Sequence, residues 1–343
     1  MEDIRNLEYR ELKDLVASFA EKPYRASQLY LWLFNQRAVS FDEMTDIPKG
    51  FRQRLKERFY ISHPKIAAIE VSRDGATKLL LELDDKNYIE SVIIPEEKRT
   101  ALCISSQVGC PLACKFCMTG SKGFIRNLRL SEIINQVFAA ERHIQLQSNR
   151  KITNLVLMGM GEPLLNLEEV TKFLNIAADQ SGLAFAPRKI TVSTAGIAPG
   201  IERLSSGAMF NLAISLNATT DEVRSRLMPI NKRYPLKVVL DACRRYQRSR
   251  KRAITFEYVL IKDINDSLED AHRLITMLKG IECKINLIPF NTFPGTSFNK
   301  PERGVILEFQ KVLLNGGYAV FIRESRGDDI SAACGQLRGK LVD

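Results

Sequence analysis

Ile152-Thr-Asn-Leu-Val-Leu-Met158 runs directly into Gly159-Met-Gly161-Glu162-Pro163. The first seven residues, rich in β-branched and aliphatic side chains, predict a buried strand, and the glycines and proline after them end it. Outward from here the pattern recurs. Residues 189–193, 210–216, 253–260, 284–289 and 319–323 read as further strands, with apolar-periodic segments between them. Ser131 is placed to cap a helix carrying Ile133, Ile134, Val137 and Phe138, and Val170, Phe173, Leu174 and Ala177 mark another. Ser267-Leu-Glu-Asp270 opens a third with a capping-box-like start. Strand–helix alternation predicts an α/β fold, a parallel sheet with outer helices. About six such strands are too few to close an eight-stranded barrel, so the expectation is an open, partial (β/α)6 barrel.

The chain before this pattern has a different character. Over residues 1–65, Ala26, Leu29, Tyr30, Leu33 and Phe34 recur at helical spacing, and Phe51, Leu55 and Phe59 mark a helix after Pro48. This predicts a small helical accessory domain. Residues 78–83, 88–94 and 100–106 are β-rich and separated by polar turns, so residues 66–100 read as a β extension. The barrel is expected over 101–300, and a helix, a strand and a tail over 301–343. A chain of 343 residues can bury one large core with a small unit beside it.

Composition narrows the class. With 45% apolar and 26% charged residues the chain reads as globular. It has no apolar run of membrane-spanning length and a charged start, so a cytoplasmic, monomeric protein with no membrane association is expected. Seven cysteines suit a reducing compartment. The net charge of +10 favours a polyanionic partner. Basic residues cluster at Lys49, Arg52, Arg54, Lys56 and Arg58, at Lys122, Arg126 and Arg129, and at Arg244, Arg245, Arg248, Arg250, Lys251 and Arg252. Each cluster alone reads as a solvated face; together with the overall surplus they point to nucleic acid. A single Trp, Trp32, argues against an aromatic platform for single strands.

The chemistry centres on Cys110-Pro-Leu-Ala-Cys114-Lys-Phe-Cys117. Three thiolates at this spacing can hold three corners of a cubane iron–sulfur cluster and leave the fourth iron open to a substrate. A zinc site is the rival reading, but it asks for a fourth ligand, and the nearest His is His143 on a downstream helix. A disulfide framework is the other. Functional groups in such barrels gather at the C-terminal strand ends. That rule selects Gly161 and Glu162, Ser193, Ser215, Leu216 and Asn217, and Asn291. Glycines let a ligand approach the backbone, and a carboxylate at Glu162 could accept from an ammonium group. Taken singly, each Ser or Asn is an ordinary turn residue.

The triad spacing is the signature of the radical S-adenosylmethionine (SAM) enzymes, which this chain resembles. The stretches Cys103-Ile-Ser-Ser-Gln-Val-Gly-Cys110, Met158-Gly-Met-Gly-Glu-Pro-Leu-Leu-Asn166, Ser215-Leu-Asn-Ala, Arg226-Leu-Met-Pro-Ile-Asn231 and Ala333-Cys-Gly-Gln-Leu337 are similar to those of the bacterial dual-specificity RNA methyltransferases, over essentially the whole chain. The resemblance implies methylation of carbon 2 of adenosine in 23S rRNA and tRNA, with a [4Fe-4S] cluster, two SAM molecules per turnover, and an electron donor such as flavodoxin or ferredoxin. It implies that Cys110, Cys114 and Cys117 bind the cluster, and that Gly161, Glu162, Ser193, Ser215, Leu216, Asn217 and Asn291 contact SAM. It further implies Cys334 as methyl carrier, Cys103 as the second reactive cysteine and Glu90 as proton acceptor. By residue type alone, Cys103 and Cys334 could equally be small buried packing residues, although the Gly-flanked tail around Cys334 is poor core sequence. The alternatives weighed are a sister enzyme that methylates carbon 8, a radical enzyme acting on peptides, and a non-catalytic zinc-bearing RNA-binding module.

Overall fold

The computed structural model describes residues 1–148, 150–204, 209–250 and 252–339, with Arg250 described in its backbone only. Lys251 of the third basic cluster and residues 340–343 of the tail therefore lie outside the described residues. Among those described, one sheet of ten strands dominates. In chain order these are β1 (Lys65–Val71), β2 (Thr77–Glu82), β3 (Tyr88–Pro95), β4 (Thr100–Cys103), β5 (Asn154–Leu157), β6 (Ile190–Thr194), β7 (Asn211–Ser215), β8 (Ile254–Leu260), β9 (Cys283–Pro289) and β10 (Ala319–Ile322). Their spatial order is their chain order, from β1 at one edge to β10 at the other. Strands β1 to β4 pair antiparallel, and β4 to β10 pair parallel. The edges do not pair with each other among the described residues, so the barrel is open.

The sheet starts earlier than strand–helix alternation suggests. Thr100–Cys103 pairs parallel with Asn154–Leu157 and is the first barrel strand, with Cys103 at its C-terminal end. Six βα units run from β4 through β9, and β10 is an added parallel strand. The β extension is continuous with the same sheet rather than a separate layer.

Helices α1 (Tyr9–Ser18), α2 (Tyr24–Tyr30) and α3 (Lys49–Arg58) form the N-terminal unit, with a π turn at Leu31–Asn35 prolonging α2. Ala26, Leu29, Tyr30, Leu33, Phe34, Phe51 and Leu55 are all buried, as their spacing predicts. Arg5 joins this unit to the barrel: its buried guanidinium donates to Ser62 O at 2.6 Å, Ala38 O at 2.9 Å and Asn135 Oδ1 at 3.3 Å.

The outer helices are α4 (Leu130–Gln147), α5 (Leu167–Ala178), α6 (Ala198–Leu204), α7 (Asp221–Leu227), α8 (Leu236–Arg250), α9 (Leu268–Leu278) and α10 (Arg303–Asn315). Ser267 caps α9, accepting from Asp270 N at 3.1 Å. Ser131 does not cap α4. That helix begins one residue earlier, and its first amides are taken by Glu169 (from Leu130 N, 2.8 Å) and Asn6 (from Ser131 N, 3.0 Å). Partners distant in sequence supply the cap that a local reading assigns to Ser131.

Candidate active site

Because β4 to β10 run the same way, their C-terminal ends share one rim. Cys103 closes β4, Gly159–Glu162 follows β5, Ser193 and Thr194 close β6, Ser215 closes β7, and Asn291 follows β9.

Gly161 has φ +99°, and a Cβ there would stand 2.5 Å from Gln107 Cβ. Only glycine fits both the conformation and the space. Gln107 accepts from Glu162 N at 2.8 Å and so aims the next residue. Glu162 is buried; its carboxylate accepts from Ala195 N at 2.7 Å and Leu164 N at 3.1 Å. Burial outweighs these bonds and raises its pKa to about 7. The group is primed for a positive partner, as a SAM ammonium would be.

The loop carrying the triad turns through Ala113, whose φ of +52° lies in the left-handed region. Cys110, Cys114 and Cys117 face one another closely enough that a charge on one raises the pKa of a neighbour. Burial pushes the Cys110 thiol up to about 12 and Cys114 well above the ordinary range. Cys110 and Cys114, so placed, ionise readily only beside positive charge, which bound iron would supply. Among the described residues no three His, Cys, Asp or Glu side chains meet at a single-ion site.

Positive charge is already built in beside them. Arg224 is fully buried, within electrostatic reach of Cys114. It donates to Ala195 O at 2.6 Å, Leu216 O at 3.0 Å, Ser215 O at 3.3 Å and Asn231 Oδ1 at 2.9 Å. One guanidinium thus ties the loops after β6 and β7 to α7, and its pKa falls to about 10 because burial outweighs its charged neighbours. A buried cation bonded to neutral carbonyls and near Cys114 fits an anionic thiolate–iron centre at the triad.

The tail brings in Cys334. Gly335 O accepts from Met118 N at 2.7 Å, Leu337 O from Thr119 Oγ1 at 2.6 Å, and Cys334 O from Asn291 Nδ2 at 3.0 Å. Gly335, at φ +86°, lies where a Cβ would be 3.0 Å from Phe116 O of the triad loop. Cys334 is exposed, yet protein atoms surround its thiol closely enough to raise its pKa, as on the floor of a cleft. Cys103 is buried, its thiol pushed up by desolvation and by the nearby Cys334. Cys334 in turn senses Glu257, Arg323 and Cys117. Thus 230 intervening residues are folded back to put Cys334 near both Cys103 and the triad.

Glu90 is buried on β3, and its Oε2 accepts from Arg338 N at 2.7 Å. Ser193 and Ser215 are half-buried at the rim, and Leu216 is buried. Asn217 and Asn291 are engaged within the protein. Asn217 Oδ1 accepts from Val259 N at 2.8 Å at a φ of +59°, and Asn291 holds the Cys334 backbone and accepts from Ser325. Cys243 is buried in α8 and Cys283 is half-buried at the start of β9, away from the rim. Sequence reasoning missed Arg224, Gln107 and Lys78. None of the three stands out locally: Lys78 in Thr77-Lys-Leu-Leu-Leu-Glu82 reads as an ordinary charged strand residue, as Glu82 does.

Residues 104–275 match the radical SAM superfamily, and residues 2–61 match the ribosomal RNA large subunit methyltransferase N-terminal domain. A dual-specificity RNA methyltransferase RlmN from Geobacter sulfurreducens is 51% identical over 341 residues, 99% of this chain and 93% of the relative. The chain belongs to the dual-specificity RNA methyltransferase family. A second family member, RlmN from Geotalea uraniireducens, is 48% identical over 99% of this chain and 97% of its own. The crystal structure of a radical SAM methyltransferase from Sphaerobacter thermophilus superposes with TM-score 0.93 at 40% identity, over 99% of this chain and 100% of that one. As a radical SAM enzyme of this family the protein uses a [4Fe-4S] cluster and SAM, two molecules per turnover. No described helix is long and apolar enough to cross a membrane.

Proposed function

We propose that the protein methylates carbon 2 of adenosine in 23S rRNA and in tRNA, using Cys334 as methyl carrier and Cys103 as the resolving thiol. The observation that supports the reading is the tail's return, which brings the Cys334 thiol close enough to interact electrostatically with Cys117 of the triad and to be felt by Cys103. Carbon 2 of adenine lies between two ring nitrogens and is too electron-poor to attack a sulfonium methyl group. Cys334, as a thiolate, can take that methyl by displacement.

Cys110, Cys114 and Cys117 would hold the cluster, and Glu162, Gly161 and the β6 and β7 strand ends, with Ser193, Ser215, Leu216, Asn217 and Asn291, would line the SAM site. When bound, these cofactors supply a carbon radical able to take hydrogen from the methyl group on Cys334. Cys334 then carries the one-carbon unit to the base and Glu90 accepts the ring proton. The Cys103 thiolate attacks the Cys334 sulfur and breaks its bond to carbon, that carbon takes up a proton to complete the new methyl group, and the one electron left over would return to the bound cofactor. Product leaves and a Cys103–Cys334 disulfide remains for reduction. The target adenosine must be unstacked for its edge to reach Cys334. The electron donor is assigned to the flavodoxin or ferredoxin class, and the working form to a cytoplasmic monomer. Residues 1–65 are assigned as an accessory domain that meets RNA, 66–100 as its link, 101–300 as the catalytic barrel and 301–343 as the cysteine-bearing tail.

Carbon 2 is favoured over carbon 8 because the similar relatives carry the dual-specificity name. The test is to incubate reduced, cluster-loaded protein with RNA and methyl-labelled SAM, then digest and identify the nucleoside by mass spectrometry. Label in 2-methyladenosine is expected; label only in 8-methyladenosine, or none, would sink the assignment.

A further inference from the structure

We propose that Lys78 is a positioning residue that, with Glu90, forms a buried clamp gripping the tail on both sides of Cys334. The proposal rests on the roles assigned above to Cys334 and Glu90, and it begins with register. Lys78 on β2 stands opposite Glu70 on β1 and Val92 on β3, and Leu80 stands opposite Glu90. Glu90 is therefore the diagonal neighbour of Lys78 on the same face, and Cys103, opposite Val92 on β4, shares that face.

Lys78 and Glu90 are each 1% exposed. A lysine so placed must find acceptors for all three ammonium protons. Lys78 Nζ has Ile330 O at 2.7 Å, Glu70 Oε1 at 3.0 Å and Glu90 Oε1 at 3.5 Å. The other oxygen of Glu90 accepts from Arg338 N at 2.7 Å. Ile330 lies four residues before Cys334 and Arg338 four after it. The bonds from Met118, Thr119 and Asn291 fasten the tail to the barrel, and Ser72, Arg73 and Asp74 of the β extension hold Asp329 and Gly327 before the cysteine. Among the described residues the Lys78–Glu90 pair is the contact from the extension that reaches the tail on both flanks of the cysteine.

Two consequences follow for the chemistry. The stretch between the two anchor points is short, so fixing both ends limits where the Cys334 sulfur can move between methyl acceptance, delivery and attack by Cys103. Removing Lys78 also takes away the cation against Glu90 Oε1, so the carboxylate whose other oxygen holds the Arg338 amide loses its own partner.

The experiment compares wild type with Lys78→Met, Lys78→Gln and Lys78→Arg as cluster-loaded proteins. Hydrogen exchange of tail amides, above all that of Arg338, is followed by mass spectrometry, beside iron content and RNA methylation kinetics. In the Met and Gln variants the Arg338 amide should exchange about tenfold faster or more. Their kcat should fall by a similar factor, with KM for RNA and iron content unchanged, and Lys78→Arg should recover part of both losses. Unchanged exchange with unchanged kcat overturns the clamp. So does a defect confined to KM, a lack of any recovery with Arg, or loss of iron with faster exchange across the whole sheet, which would make Lys78 a folding residue. If wild type makes no 2-methyladenosine, the functional assignment fails by itself, and Arg338 exchange still judges the clamp.

Discussion

Cys103 and Cys334 are the two residues whose roles separate most cleanly by substitution. Cys334→Ala should abolish RNA methylation while iron content stays at the wild-type level, because no cluster ligand is touched; retained turnover would remove the methyl-carrier role. Cys103→Ala should leave RNA covalently attached through Cys334, visible as a nuclease-sensitive mass on the purified protein, and an RNA-free variant would count against resolution by Cys103. Glu162 sets a pH dependence whose sign follows from its environment. Its pKa is raised to about 7, so in the empty site it holds a proton below that pH and is charged above it. Only the charged form attracts an ammonium group, so SAM affinity should rise as pH increases through about 7 and fall again as the α-ammonium of SAM, of ordinary pKa about 7.7–8.0, loses its proton. Anaerobic calorimetry across pH 5.5–8.5 checks this, roughly one to two units either side of the transition, and Glu162→Gln should flatten the rising limb.

At the scale of elements, the basic clusters divide into two kinds. Arg54 pairs with Glu21, Lys56 with Asp42 at 2.7 Å, Arg244 with Asp241 at 2.9 Å and Arg245 with Glu202 at 2.6 Å. The arginines near the end of α8 also suit that helix's negative C-terminal pole. Arg126 is held between Asp85 and Glu132 at 2.7 and 2.8 Å. For these residues the solvated-face reading describes the folded chain better than a nucleic-acid contact does. Lys115 and Lys122, on the triad loop and just beyond it, are exposed. The tail is an element with little regular structure, shaped by left-handed residues at Gly327, Ser331 and Gly335. Gly335→Ala adds a Cβ at φ +86° and 3.0 Å from Phe116 O, so it should cost about 1–2 kcal/mol of stability. It should also lower kcat more than RNA affinity. Thermal melts and steady-state kinetics test the two halves, and a variant with wild-type kcat would show that the Cys334 loop tolerates displacement.

For the whole molecule, the surplus of +10 charges and the locally spent arginines together set the salt response. RNA affinity should fall steeply with salt, and Lys122→Ala should reduce the slope of log K against log salt by about one, without changing which nucleoside is methylated. A salt-insensitive affinity would move the contact surface elsewhere. Much of this molecule is legible in local patterns. Triad spacing, glycine-flanked strand ends and strand–helix alternation depend on neighbours within a few residues, so the α/β class, the open barrel and the candidate ligands could be read from them. Lys78, Arg224 and the cap of α4 could not. Lys78 belongs to a strand whose polar residues would ordinarily face water, and the carbonyl its buried ammonium donates to lies 252 residues later. Arg224 is held by carbonyls on two separate strand ends. The amino-acid order by itself determined the groups available: three closely spaced thiols proposed here to hold iron, two more proposed to handle a methyl group, and a parallel sheet to present them. Only the tertiary structure decided that these groups meet, because closing a loop of more than two hundred residues depends on the hydrogen bonds and buried charges that fasten the tail, and no local pattern encodes such long-range partners.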